Sequence, residues 1–198
     1  MLVRHGETEW SRTGQHTGPT DIPLTADGER DARRLGERLA AFDLGLVVAS
    51  PLSRARRTAE LAGFTPELDD DLVEWDYGGY EGRTTKEIRE TLGDPTWTVF
   101  DDGVTAGATP GETVEEVAAR ASRVLVRVAP CLEQRDVLLF AHGHYLRILA
   151  ATFLRQEARF GAHLLLDAGA VCVLEYERGE PAIRSWNGTV SRPGRATG

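Results

Sequence analysis

The chain of 198 residues is 41% hydrophobic and 27% charged, with a formal net charge of −8. These values fit one packed globular domain, and the acidic balance argues against nucleic acid as the main partner, which calls for a basic stripe. No apolar run approaches the ~18 residues of a membrane-spanning helix, so no membrane association is expected, and an anionic ligand has to be drawn in by a local positive pocket.

The first strand candidate, Leu2-Val3, runs straight into Arg4-His5-Gly6. Thr25 reads as the N-cap of a helix in which Ala32, Leu35, Leu39 and Phe42 share one face. Leu46 to Ala49 is a strand, followed by a helix from Pro51 to about Ala62. The stretch 76–111 is rich in Gly, Asp, Thr and aromatic residues and has no clear strand. It reads as an excursion that covers a site, and within it Thr84 and Glu87 form a capping box that opens a short helix to about Leu92. Thr113 and Glu116 form another box, before a stripe of Val114, Val117, Ala118, Ala121, Val124, Leu125 and Val128. Val137 to Ala141 is a strand and Tyr145 to about Leu154 a helix. Val171 to Tyr176 and Ala182 to Trp186 close the chain as a hairpin turning at Glu177-Arg178-Gly179-Glu180, and 191–198 reads as a disordered tail. Alternating strands and helices predict an α/β fold with a mostly parallel central sheet. Cys131 and Cys172 lie in apolar segments, match no zinc spacing and read as buried free thiols. With no signal-peptide pattern at the N-terminus, a cytoplasmic location is expected.

Two strands end alike, one at Arg4-His5-Gly6 and the other at His142-Gly143-His144. Ligands of open α/β sheets bind outside the carboxyl ends of the strands, so both histidines fall where a site belongs. The plainer alternative is that each merely caps a strand. The glycines are expected to let the backbone turn and a ligand approach. A third strand leads into Ser50-Pro51-Leu52-Ser53-Arg54-Ala55-Arg56-Arg57, where a helix start puts Arg54 and Arg57 on one face and leaves Arg56 to solvent. Arginine at such a turn suits a phosphate, because its planar fork matches two oxygens. Glu74-Trp75-Asp76-Tyr77-Gly78-Gly79-Tyr80-Glu81 is dense in acids and aromatics. It is either an ordinary loop or the source of a proton donor tuned by burial. His5, His16, His142, His144 and His163 form no His-x-x-x-His or Cys/His ligand pattern, so no metal site and no cofactor is expected.

In this order, LVRHGET, SPLSRARRTAEL, EWDYGGYEG and AHGH resemble the histidine phosphatase superfamily, its phosphoglycerate mutase-like group, from Met1 to about Asn187. The resemblance implies one domain over 1–198, a three-layer sandwich with helices on both faces of the sheet. It implies His5 as a nucleophile forming a phosphohistidine, with Arg4, Arg54 and His142 around the phosphoryl oxygens and Glu74 as proton donor. Glu7, Thr8, Ser11 and Thr17 fall in the loop that contacts phosphate or substrate in that family. Arg57 stands where the family usually has glutamine and either adds charge for an anionic substrate or pairs with an acid.

Tyr77 is a further candidate, either for the substrate's organic part or for packing the excursion onto the sheet, and His144 either contacts a substrate hydroxyl or orients its loop. Trp75, Tyr80 and Trp97 either line the mouth or pack the excursion onto the sheet. The mutases of the family carry a long insert with an adjacent arginine pair and a lysine. Here Gly82 to Gly111 is short and holds only Arg83, Lys86 and Arg89, and His144-Tyr145 replaces the mutases' Asn-Ser. The pattern is similar to an actinobacterial acid phosphatase branch and shares features with the sedoheptulose bisphosphatase type. The expected activity is therefore metal-independent hydrolysis of a small phosphorylated metabolite such as a sugar phosphate. Phosphoglycerate mutase and a non-catalytic phospholigand- or partner-binding protein are the alternatives. A homodimer is compatible with the chain.

Overall fold

A computed structural model describes residues 1–188, so the tail read at 191–198 lies outside the described residues. The strands are β1 (Leu2–Arg4), β2 (Leu44–Ala49), β3 (Glu67–Leu68), β4 (Asp136–Ala141), β5 (Val171–Glu177) and β6 (Glu180–Gly188). They form one sheet in the order β3-β2-β4-β1-β5-β6. β2 pairs in parallel with β3 and β4, and β1 with β4. The β1–β5 and β5–β6 pairings are antiparallel.

The helices are α1 (Glu9–Thr13), α2 (Ala26–Leu39), α3 (Ser53–Leu61), α4 (Thr85–Leu92), α5 (Val99–Asp102), α6 (Val114–Leu132) and α7 (Gly143–Phe153). Alternation along β4 shows why they lie in two layers. Leu138 and Phe140 point to one face, where Leu35 and Leu39 of α2 and Ala59 of α3 complete a core. Val137, Leu139 and Ala141 point to the other, against Val117, Ala121 and Val124 of α6 and Leu146 and Leu149 of α7. The result is helix, sheet, helix.

The expected caps are in place. Thr25 accepts from Gly28 N at 3.0 Å, and the Thr84/Glu87 and Thr113/Glu116 boxes close reciprocally. Some expectations fail. Phe42 does not join the α2 stripe, because the helix stops at Leu39 and leaves that ring 37% exposed. β3 was invisible because both of its residues are exposed and so carry no apolar pattern. Cys131 is half-buried on α6, whereas Cys172 is buried in β5. The hairpin turns through Arg178 and Gly179, both at positive φ (53° and 86°), as a two-residue loop requires.

Three parallel strands end together. Arg4 lies beside Ala141, His5 N donates to Ala141 O at 2.9 Å, and Ser50 N donates to Phe140 O at 2.9 Å. His5, His142 and Ser50 therefore leave the sheet from adjacent strands at one edge. Behind them the loop after β1 crosses α2 at backbone contact. A Cβ on Gly6 would lie 2.8 Å from Gly28 O, and one on Gly28 only 2.3 Å from Glu7 O. Gly6 thus makes room for α2, not for a ligand. Gly28→Ala is expected to destabilise the protein by about 2–3 kcal/mol, since neither backbone can yield without moving β1. Urea unfolding checks this, and a loss below about 0.5 kcal/mol would show that the crossing relaxes freely.

Candidate active site

His5 directly follows the short β1 and is held from several sides. Its ring is buried, and Nδ1 lies 2.7 Å from Gly6 O. A carbonyl only accepts, so Nδ1 carries the hydrogen and Nε2 keeps its lone pair toward the cavity that His5 lines. Gly6 N donates to Thr58 Oγ1 (3.0 Å), and that hydroxyl donates to Arg54 O (2.6 Å), tying the segment to α3. Burial pushes the His5 pKa well below its ordinary value, and the charges of Arg54 and Arg4 push it the same way. The imidazole is neutral.

Arg4 lines the cavity beside it. Its Nη1 donates to Leu166 O at 2.5 Å, while Nε is buried and has no partner among the described residues. A Cβ on Gly143 would come within 3.2 Å of this guanidinium, so that glycine admits the arginine to the start of α7. Arg54 and His142 reach the same place by another route. Both are fully buried and form a layer behind His5, the two rings 5.2 Å apart; they do not line the cavity wall.

Arg54 Nε donates to His142 Nδ1 at 3.2 Å, so the His142 hydrogen is on Nε2, which reaches Ser50 Oγ at 2.8 Å. The rest of the Arg54 fork binds the carbonyls of Thr17, Gly18 and Thr20 at 2.9–3.1 Å. Glu81 grips the other side of that loop, accepting from the N–H groups of Gly18 and Thr20.

Glu74 faces His5 from the segment before the excursion. Its carboxyl is buried, lines the cavity and closes the open end of a helix. His142, the N-cap of α7, makes no side-chain cap bond. Glu74 takes that role from outside, with Oε1 accepting from Tyr145 N (2.8 Å) and Trp75 N (2.9 Å) and Oε2 from His144 N (3.1 Å). Burial raises the Glu74 pKa, against the opposing pull of these N–H groups and of Arg54. The acid that shares the site with neutral His5 is held toward its protonated form.

The cavity encloses about 240 Å³. Ser11 and Thr17 lie on its wall, Thr17 Oγ1 donating to Gln15 O at 3.1 Å. Thr8 does not, because its hydroxyl caps α1 by accepting from Ser11 N (3.1 Å), while Ser11 Oγ in return accepts from Thr8 N (2.9 Å). Tyr77 and His144 both line it, joined by a 2.5 Å bond between the phenol and Nδ1.

Arg57 is not part of the site. The buried face of α3 is Arg54, Ala55, Thr58 and Ala59, which turns Arg57 outward to Glu29 (3.6 Å) and Glu60 (3.5 Å). Trp75, Tyr80 and Trp97 pack into the core, so only Tyr77 of that aromatic set meets the cavity.

Sequence reasoning passed over His16, Gln15, Thr85 and Arg147, which complete the mouth. Arg147 is one turn beyond Gly143 on α7, a spacing that could have flagged it. It donates to Gly161 O and Ala162 O at 2.8 and 2.9 Å and stacks on Phe100. His16 is buried against Tyr77, its ring hydrogen-bonded among the described residues only to Thr85 at 3.4 Å, and burial lowers its pKa to about 4.

A neutral, backbone-anchored histidine beside a half-buried and a fully buried arginine and a buried carboxyl, at the carboxyl edge of an α/β sheet, defines a site suited to an anionic group with a leaving oxygen. Residues 1–189 match the Histidine phosphatase superfamily (branch 1), and the chain belongs to that family. It is 37% identical over 182 residues to an acid phosphatase of Mycobacterium tuberculosis, covering 90% of this chain and 87% of that protein. It is also 37% identical over 181 residues to sedoheptulose 1,7-bisphosphatase of Saccharomyces cerevisiae, covering 76% of this chain and 65% of the yeast protein. A solved structure from Mycobacterium tuberculosis is similar with a TM-score of 0.88 at 35% identity, covering 95% of this chain and 96% of that one. Among the described residues, no helix is long and apolar enough to cross a membrane.

Proposed function

We propose that the protein is a metal-independent phosphomonoesterase working through a phosphohistidine on His5. The observation that carries this reading is the His5 ring itself, fixed by Gly6 O through Nδ1, neutral, and open at Nε2 toward the cavity. Nε2 attacks phosphorus, the bond to the leaving oxygen breaks, and the Glu74 carboxyl gives that oxygen its proton. The Glu74 carboxylate then takes a proton from water, whose oxygen attacks phosphorus and breaks the P–N bond. Arg4 faces the phosphoryl group with its Nε, unpartnered among the described residues. Arg54 acts through its charge and by fixing the loop at Thr17–Thr20, while neutral His142 holds Arg54 Nε in place and is itself tied to Ser50.

The substrate is a small phosphorylated metabolite of the sugar phosphate kind. Beyond His5 the wall presents neutral hydrogen-bonding groups, namely His16, His144, Gln15 and Thr85, with Arg147 as the distal cation. The basic residues of the excursion do not reach this wall. Arg83 binds Glu87 O, Arg89 binds Trp97 O and Lys86 points to Glu90, which leaves no cluster to grip a phosphoglycerate carboxylate as a mutase needs.

Hydrolysis of p-nitrophenyl phosphate in EDTA, with capture of a labelled phosphoenzyme, tests the reaction. Loss of activity on chelation would overturn metal independence, and transfer to bisphosphoglycerate-primed 3-phosphoglycerate without phosphate release would restore the mutase. For Glu74→Gln, kcat/KM should fall at least about 100-fold on alkyl phosphates but less than about tenfold on 2,4-dinitrophenyl phosphate, whose leaving group needs no proton. Equal losses on both would remove Glu74 from the acid role.

A further inference from the structure

Behind Glu74, on the side away from the cavity, lies an ion pair that the reaction does not touch. Arg120 of α6 and Glu112, just before that helix, meet fork to fork, with Nε to Oε1 at 2.7 Å and Nη2 to Oε2 at 2.9 Å. Neither reaches the cavity lining. The remaining donors of Arg120 run along the segment that carries the acid, with Nη1 to Asp71 O (2.8 Å) and Val73 O (3.0 Å) and Nη2 to Glu74 O (3.4 Å).

Glu112 holds the residues that follow. Its Oε2 accepts from Asp76 N (3.0 Å), its carbonyl accepts from Trp75 Nε1 (2.8 Å), and its N–H donates to Asp76 O (2.9 Å). One charge pair thus fixes the backbone on both sides of Glu74. The guanidinium also lies 5.1 Å over the Tyr145 ring, and Tyr145 N is the closest donor to the Glu74 carboxyl.

We propose that Glu112 and Arg120 are positioning residues for the proton donor, setting where the Glu74 carboxyl stands relative to the leaving oxygen. The proposal rests on the reading of Glu74 as the acid. The physical case is one of tolerance. The segment at Glu74 has no regular secondary structure, so neither a helix nor a ladder fixes its carbonyls. A misplacement of about 1 Å in a reacting group can lower a rate by about 100-fold. A rigid bidentate fork is the side-chain pair best able to hold several carbonyls in one plane. A lysine at 120 keeps the charge without the fork. A glutamine at 112 keeps the shape but turns one amide NH₂ toward a donor, whichever way it flips.

The test compares wild type, Glu112→Gln, Arg120→Lys and Glu74→Gln across phosphate esters of rising leaving-group pKa, read as kcat/KM, which reports P–O cleavage. Inhibition by vanadate and thermal melting are measured alongside. In Glu112→Gln and Arg120→Lys the expected loss is at least tenfold on alkyl phosphates and less than threefold on 2,4-dinitrophenyl phosphate, with vanadate affinity kept within threefold. Losses equal on all esters would make the pair merely structural and overturn the proposal, as would no loss on any ester. Glu74→Gln separates the two readings. A flat leaving-group dependence there sinks the acid assignment itself, whereas a steep one beside flat Glu112→Gln data sinks only the positioning role. If Arg120→Lys melts below the assay temperature, Glu112→Gln decides.

Discussion

His5→Ala should lower kcat/KM on p-nitrophenyl phosphate by about 10⁴-fold or more, and the labelled phosphoenzyme should disappear with it. Losing the nucleophile of a covalent mechanism commonly costs that much, because the remaining site can only bind and polarise. No second imidazole can take over. His142 is the nearest, with ring centroids 5.2 Å apart, but both of its nitrogens are engaged, by Arg54 and by Ser50. The rings of His16 and His144 line the cavity farther out, and His144 Nδ1 is bound to Tyr77.

The loss should be one of chemistry rather than of folding. The ring's only hydrogen bond is to its own neighbour, Gly6 O, and the strand contacts of His5 run through its backbone. The variant should therefore melt cooperatively and still bind vanadate. Activity on the nitrophenyl ester within tenfold of wild type would move the covalent step off His5 altogether.

The elements and the site were unequally legible in the sequence. Caps and apolar stripes are local properties, so Thr25, Thr84 and Thr113 could be read directly as helix starts. The strand-end histidines were legible because an α/β sheet gathers carboxyl ends, a rule that needs only strand order. Thr8 was read as a ligand contact because a hydroxyl has the same look in sequence whether it caps a helix or faces a substrate. Arg57 was placed beside Arg54 by i,i+3 spacing, yet that spacing says which residues are neighbours and not which arc of the helix is buried. The buried arc follows from Ala55 and Ala59, and it excludes Arg57.

What remained hidden was long-range. Glu74 capping α7 joins residues about seventy positions apart, and Arg120 reaches back to Asp71 across 49 positions. No periodicity records such pairings. Arg54 shows the same limit. Its bonds to His142 and to the carbonyls of Thr17, Gly18 and Thr20 are not written in its local sequence.

The neutrality that suits these histidines to chemistry should also make the fold acid-sensitive. His5, His142 and His144 are held well below the ordinary histidine pKa of 6.5 by burial and neighbouring arginines, and His16 is held at about 4. In the unfolded chain all of them titrate near 6.5. Between that value and their folded pKa values the unfolded state binds more protons, so stability is full above pH 6.5 and falls as pH drops. Each histidine contributes up to about 1.4 kcal/mol per pH unit over its own window, and all act in the same direction.

Glu74 opposes them. Its folded pKa is raised, so its contribution is present at low pH and is lost as pH rises through that value. It opposes the histidines between the ordinary carboxylate pKa and that raised value. Urea unfolding at pH 5 should therefore show uptake of roughly two to three protons per molecule on unfolding. Uptake below one proton would mean that the rings are hydrated and titrate normally. His16→Phe isolates one member, because that ring packs on Tyr77 and Trp97 and makes only a 3.4 Å bond to Thr85. The variant should lose one proton of uptake and gain about 2 kcal/mol relative to wild type at pH 5, while the difference vanishes at pH 7.5.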